Sequence, residues 1–96
     1  MKGIAHVTGA DGNVFADLGL QDAENLRLRA QLMIEIARYI EEHRLTQAEA
    51  ARRMQTTQPR INEIVQGRME KCTIDRLVNM LAAVGRHVSV TVNRAA

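Results

Sequence analysis

Aromatic residues and cysteine are nearly absent from this chain of 96 residues. Phe15 and Tyr39 are its only aromatic residues, so the core must be built mainly from aliphatic side chains. The single cysteine, Cys72, excludes an internal disulfide and a zinc site with several cysteine ligands. Apolar runs of membrane-spanning length and a signal-peptide pattern are also lacking, so we expect one small domain, residues 1–96, in the cytosol, with no membrane partner.

The patterns that catalysis or metal binding would require are missing as well. The sequence has no glycine-rich phosphate loop, no paired catalytic carboxylates and no nucleophile beside a base. Its three histidines, His6, His43 and His87, are too scattered for a metal site. We therefore expect a non-enzyme without a metal or cofactor, in which Cys72 is an inert thiol.

Charge is divided unevenly along the chain. Residues 1–43 hold four basic and seven acidic side chains, whereas residues 44–76 hold seven basic and four acidic ones. A basic middle beside an acidic first half is typical of a protein that meets a polyanion with one face. A mixed, solvated surface is the alternative, because charge asymmetry alone identifies no ligand.

The segment TQAEAARRMQTTQPRINEIVQGR, residues 46–68, predicts two short helices joined by a tight turn. Thr46 and Glu49 have the spacing of a capping box, in which each side chain accepts a hydrogen bond from the other residue's amide. Thr57 is placed to cap the second helix, with Pro59 in its first turn, where a missing N–H costs nothing. That helix opens with multi-donor side chains, and a helix-turn-helix protein inserts this end into the major groove, so the pattern predicts sequence-specific DNA binding.

The residues before this motif predict an irregular segment, 1–20, and one long helix from Asp22, as its cap, to His43. Apolar side chains cover about two-thirds of the circumference of that helix. One small core needs less than this. We therefore expect the helix to meet a second chain, unless the N-terminal segment covers the extra face.

The residues after the motif predict a fourth helix, capped by Thr73 and ended by Gly85, and then a strand. The expected buried face of the helix consists of Ile74, Leu77, Val78, Leu81, Ala82 and Val84. Residues 86–93 alternate with a period of two, which predicts a β-strand. The residues of its apolar face are Val88, Val90 and Val92. Because a lone strand cannot satisfy its own backbone groups, the same strand of a second copy is its simplest partner, and we predict a homodimer.

Residues 46–68 resemble the helix-turn-helix of the lambda-repressor/Cro-like (XRE) family, whose repressor pattern is T-Q-A-E-x-A-x-x-x-G-x-T-Q. From Asn13 onward the chain is similar to the HigA-like antitoxin branch, with N-V-F-A-D-L-G-L, L-T-Q-A-E-A-A, T-Q-P-R-I and a V-x-V-x-V tail. The resemblance implies a mainly α fold: a small helical bundle with a helix-turn-helix and a C-terminal β-strand that pairs across a dimer. It also implies a repressor that binds double-stranded DNA at a palindromic operator. Members of that branch bind a RelE/HigB-like ribonuclease toxin and autoregulate their operon as type II antitoxins.

The resemblance also implies roles for individual residues. The base-reading positions are Gln58, Arg60, Asn62 and Glu63, of which the last two reach base edges or stay solvated. The phosphate-contacting positions are Gln47, Thr57, Arg68 and Lys71. The positions on the core side are Ala50, Ala51, Met54, Ile61 and Ile64. Two departures from the pattern matter: Pro59 replaces a second reading glutamine, and Gln55 replaces a turn glycine, so Gln55 either adopts positive φ at a cost or the turn changes its geometry.

Other functions stay open at this point. The motif can serve as a protein-binding scaffold without an operator, and the protein can be a plain dimeric repressor or one whose main role is to neutralise a toxin. A non-specific nucleoid or RNA-binding protein is disfavoured, because the basic region has no aromatic residue on which bases would stack.

Overall fold

The structure is a computed structural model that describes residues 20–94. Within this range the chain forms four α-helices and one 3-10 turn. Their bounds are α1 Leu20–Glu42, α2 Gln47–Arg53, α3 Gln58–Val65 and α4 Ile74–Ala83, with the 3-10 turn Met69–Lys71 between α3 and α4. The prediction of a mainly helical chain with a helix-turn-helix is therefore confirmed. The expected irregular segment lies outside the described residues, apart from Leu20.

Helix α1 begins earlier than the sequence predicted. Its first residue is Leu20, so Asp22 belongs to the helix and the prediction that it is the cap was wrong. Leucine and glutamine are both good helix formers, and the helix extends back through Leu20 and Gln21. None of the helices within residues 20–94 combines the length and apolar content that a membrane crossing requires.

All four described α-helices end in the same closure, in which a left-handed residue lets two backbone amides turn back to the last carbonyls. In each closure one hydrogen bond joins residues five positions apart, at 2.9–3.0 Å. These bonds run from Leu45 N to Ile40 O, Thr56 N to Ala51 O, Arg68 N to Glu63 O and Arg86 N to Leu81 O. The left-handed residues are Arg44, Gln55, Gly67 and Gly85, with φ of +53°, +58°, +75° and +78°. Gln55 thus adopts positive φ, the first of the two alternatives predicted for it.

The core of residues 29–88 is centred on four fully buried side chains, one from each α-helix or its end. They are Ile36, Met54, Ile61 and Leu77. Ala50, Ala51 and Ile64 are buried around them, so the predicted core side of the motif is confirmed. On α4 the buried residues are Leu77, Met80 and Leu81, whereas Ala82 is exposed. The burial of Ala82 was wrongly predicted, because it lies about 100° beyond Leu81 on the helix.

The described residues divide into two compact units. Residues 29–88 form one unit and contain the helix-turn-helix, while the described parts of the other are residues 20–28 and 89–94. Within residues 20–28, the buried Glu24 pairs with Arg27 at 2.6 Å, one helical turn further along α1.

The tail forms neither helix nor strand over residues 86–94. The strand predicted for residues 86–93 is therefore not present in the single chain. A strand exists through its hydrogen-bonded neighbour, and the prediction had assigned that neighbour to a second copy. Of the three valines that should share its apolar face, Val88 and Val92 are half-buried and Val90 is exposed.

Candidate nucleic-acid interface

The N-terminus of α2 is fixed by the predicted capping box. The Glu49 amide donates to Thr46 Oγ1 at 3.1 Å, and the Thr46 amide donates to Glu49 Oε1 at 2.8 Å. The hydrogen bond from the Thr46 backbone lowers the pKa of Glu49, with a smaller lowering from the positive charges of Arg52 and Arg53. The cap keeps Gln47 at the first position of the helix, where its side chain is half-buried.

The N-terminus of α3 is capped, anchored and open to solvent. Thr57 Oγ1 accepts a hydrogen bond from the Arg60 amide at 3.4 Å, as predicted. Ile61 and Ile64 hold the helix in the core, while Thr57, Gln58 and Pro59 are exposed. The core thus holds α3 in position, and the polar side chains at its N-terminus lie on the surface.

One side of α3 carries a row of amide side chains at intervals of four residues. This amide row consists of Gln58, Asn62 and Gln66, whose spacing places them on the same face of the helix. Asn62 Oδ1 accepts a hydrogen bond from Gln66 Nε2 and another from Gln47 Nε2 on α2, both at 3.3 Å. A residue predicted to contact phosphate, Gln47, is thus joined directly to a residue predicted to contact a base, Asn62.

The other flank of α3 carries Arg60 and Glu63. Because residues two apart on a helix differ by about 160° around its axis, Gln58 and Arg60 do not share a face. Burial raises the pKa of the Cys72 thiol and the negative charge of Glu63 raises it further, while Arg29, Arg60 and Arg76 act in the opposite sense. Arg60 and Glu63 are both half-buried, and their charges act on Cys72 in the segment that follows α3.

We call this segment, residues 68–72, the basic loop, because it carries the exposed Arg68 and Lys71. Arg29 on α1 holds it: Nη1 donates to the carbonyl of Met69 at 2.9 Å and to that of Cys72 at 3.2 Å. The buried Cys72 Sγ also donates to the carbonyl of Arg68 at 3.5 Å. The two predicted phosphate contacts thus lie on a loop of fixed shape.

Arg29 was not among the site residues predicted from the sequence. The signal was its position seven residues, or nearly two helical turns, before the fully buried Ile36, which places an arginine on the core side of α1. An arginine there must reach hydrogen-bond acceptors, since a buried guanidinium without partners is costly. The loop carbonyls are acceptors that Arg29 reaches.

Tyr39 joins the ends of α1, α2 and α4. Its ring stacks on His43 at a centroid distance of 4.1 Å, and its hydroxyl accepts a hydrogen bond from Arg53 Nη1 at 3.3 Å. The guanidinium of Arg86 lies 5.1 Å from the ring centroid and 3.5 Å from a carboxylate oxygen of Glu42. The beginning of the tail is thereby attached to the end of α1.

A capped helix pair whose second helix exposes a polar N-terminus, followed by a basic loop, defines a helix-turn-helix protein. Proteins of this class are DNA-binding regulators. The chain belongs to the helix-turn-helix domain family, whose sequence pattern matches residues 14–93. No curated protein matched it.

Proposed function

We propose that the protein is a sequence-specific transcriptional repressor that binds a palindromic operator as a homodimer and catalyses no reaction. The observation that carries this proposal is the open N-terminus of α3, held by Ile61 and Ile64, beside a basic loop held by Arg29. The amide row supplies donors and acceptors for base edges, and the loop supplies cations for phosphates. In a dimer the two recognition helices enter successive major grooves, with half-sites about 34 Å apart.

Selection from a random pool of double-stranded DNA tests this proposal with the full chain. We expect an enriched inverted repeat whose half-sites are about one helical turn apart. Recovery of unrelated sequences, with equal affinity for selected and random DNA, would refute sequence-specific repression. An enriched sequence without inverted symmetry would refute binding as a two-fold dimer.

Single substitutions separate base contacts from phosphate contacts. Gln58→Ala and Arg60→Ala should each relax the preference at one base pair, with a loss of about 1–3 kcal/mol. Arg68→Ala should weaken binding to all sequences alike and flatten its salt dependence. Gln31→Ala, at an exposed glutamine on α1, is the matched control and should change neither.

We propose that the dimer forms through the tail, with Val88, Val90 and Val92 on the paired face. The exposure of Val90, at 43%, supports an apolar position that a second copy covers. Val90→Asp should convert dimer to monomer in light scattering, whereas Thr91→Asp, on the adjacent exposed residue, adds the same charge to the opposite face and should not. An unchanged dimer in Val90→Asp would contradict this interface.

We further propose that the protein is a type II antitoxin, which the resemblance to the HigA-like branch supports. An apolar groove of about 280 Å³ lies on residues 29–88. Its lining residues are Ala30, Met33, Ile34, Ala37, Ile64, Val65, Gly67 and Met69. Ile34 and Val65 are 55% and 50% exposed, so part of the wide apolar arc of α1 is open to a partner. The acidic first half of the chain suits a basic ribonuclease toxin as that partner.

Co-expression with the product of the adjacent gene tests the antitoxin proposal. We expect the two proteins to copurify and Ile34→Asp to abolish copurification, whereas Gln31→Asp, which adds the same charge to α1, preserves it. Operator binding by Ile34→Asp should remain, because the groove is lined by none of the proposed DNA contacts. Failure to copurify would favour a plain repressor.

A further inference from the structure

We propose that Asn62 contacts its base pair as a hydrogen-bond donor only, because Gln47 and Gln66 occupy both lone pairs of its side-chain oxygen. This inference rests on the proposed sequence-specific binding and adds the base that Asn62 selects. The two occupying bonds come from different elements, Gln47 Nε2 on α2 and Gln66 Nε2 at the end of α3. An amide oxygen has two acceptor sites, so both are used within the protein.

The amide nitrogen of Asn62 is the part left for DNA. The side chain is half-buried, and among residues 20–94 its Nδ2 group has no hydrogen-bond acceptor. Asparagine selects adenine by accepting from N6 while donating to N7, which requires a free side-chain oxygen. The side-chain oxygen of Asn62 is already occupied. Guanine presents two adjacent acceptors, O6 and N7, and therefore suits a group that can only donate.

Gln47 and Gln66 are positioning residues in this arrangement. Each holds the Asn62 amide in one orientation, and neither needs to touch the base that Asn62 selects. Gln47 Nε2 has a second hydrogen, which can meet a phosphate while the first stays on Asn62. Gln66 is exposed at the C-terminal end of α3 and has no proposed phosphate contact, so its substitution isolates the effect on Asn62.

Selection from random DNA with the full chain and three variants tests the inference. Asn62→Ala identifies the operator position that Asn62 contacts, as the position that loses its preference. In the wild-type protein we expect guanine there, favoured over adenine by at least about fivefold in affinity, the lower end for a good base contact. Gln66→Ala and Gln47→Ala each free one lone pair, so both should shift that position toward adenine and leave the position contacted by Gln58 unchanged. Gln31→Ala should leave every position unchanged.

Each outcome decides between the alternatives. Guanine at the Asn62 position, with a shift toward adenine in Gln66→Ala, supports the donor-only contact. An A·T pair there in the wild-type protein, in either orientation, overturns it, as does an operator that Asn62→Ala leaves unaltered. A uniform loss of affinity in Gln47→Ala, with no shift in Gln66→Ala, makes Gln47 a phosphate contact only and also overturns the inference. An enriched operator in any of these cases leaves sequence-specific binding standing, whereas the absence of one overturns that binding and the inference together.

Discussion

Among single residues, Gln55 carries a backbone cost that its position in the turn imposes. A side chain at φ +58° costs about 1–2 kcal/mol, which glycine would relieve. Part of that gain is offset, because glycine loses more conformational entropy on folding. We expect Gln55→Gly to raise the free energy of unfolding by about 0.5–1 kcal/mol, or about 2–8 °C in melting temperature. Thermal unfolding followed by circular dichroism measures this. Gln66→Gly is the matched control: Gln66 has φ −84°, so it should gain nothing, and an equal gain in both would contradict the argument.

Glu49 makes the cap of α2 sensitive to acid. Its pKa is lower in the folded chain than in the unfolded chain, so the capping box contributes fully above the ordinary glutamic acid pKa and is lost as pH falls through the folded value. Glu49→Gln keeps a capping acceptor without the titration. We therefore expect the difference in unfolding free energy between wild type and variant to shrink between pH 6 and pH 3, measured by urea denaturation. A difference that stays constant over this range would show that Glu49 does not titrate with the cap.

At the scale of the elements, the clamp from α1 to the basic loop couples a core helix to the proposed phosphate contacts. Arg29→Ala removes two hydrogen bonds from a charged donor, and we expect a loss of about 1.5–3 kcal/mol in stability. If the loop also loses its shape, DNA affinity should fall alike for operator and random DNA, and the slope of log affinity against log salt should become less negative by about 1–2.

Fluorescence anisotropy at several salt concentrations measures the effect of Arg29→Ala on DNA binding. Arg38→Ala, an exposed arginine on the same helix paired with Glu35 at 2.8 Å, should change stability by less than about 1 kcal/mol and leave the slope unaltered. An unchanged slope in Arg29→Ala would confine Arg29 to a structural role.

The elements predicted correctly are those that neighbouring residues determine. The caps at Thr46, Thr57 and Thr73 all formed, because each depends on an oxygen and an amide three residues apart. The bonds from Arg29 to residues 40 and 43 positions away, and from Gln47 to Asn62, could not be predicted in this way. They arise only when α1, α2 and α3 have packed, and no local pattern encodes that packing.

At the scale of the whole molecule, burial was predicted correctly for residues at the centre of a helix's apolar face. It was predicted less well on α1, whose apolar arc is wider than the core covers. Ile61 and Leu77 lie centrally on their helices and are fully buried, as predicted. Ile34 belongs to the wide apolar arc predicted for α1, yet it is 55% exposed, because residues 29–88 cover only part of that arc. The sequence indicated a surplus of apolar surface, and the structure locates part of it at the groove.

Cys72 gives the folded protein a built-in reporter of opening. Its thiol is buried, with a raised pKa, and it is the only cysteine in the chain. A thiol reagent must therefore wait until the core around the basic loop opens, and the labelling rate then follows the population of open molecules. We expect labelling of the native chain to be slow, to accelerate with denaturant and to be faster in Arg29→Ala, as followed by mass spectrometry. Bound operator should slow it further, so that one reaction reads out both the local stability of the loop and its contact with DNA.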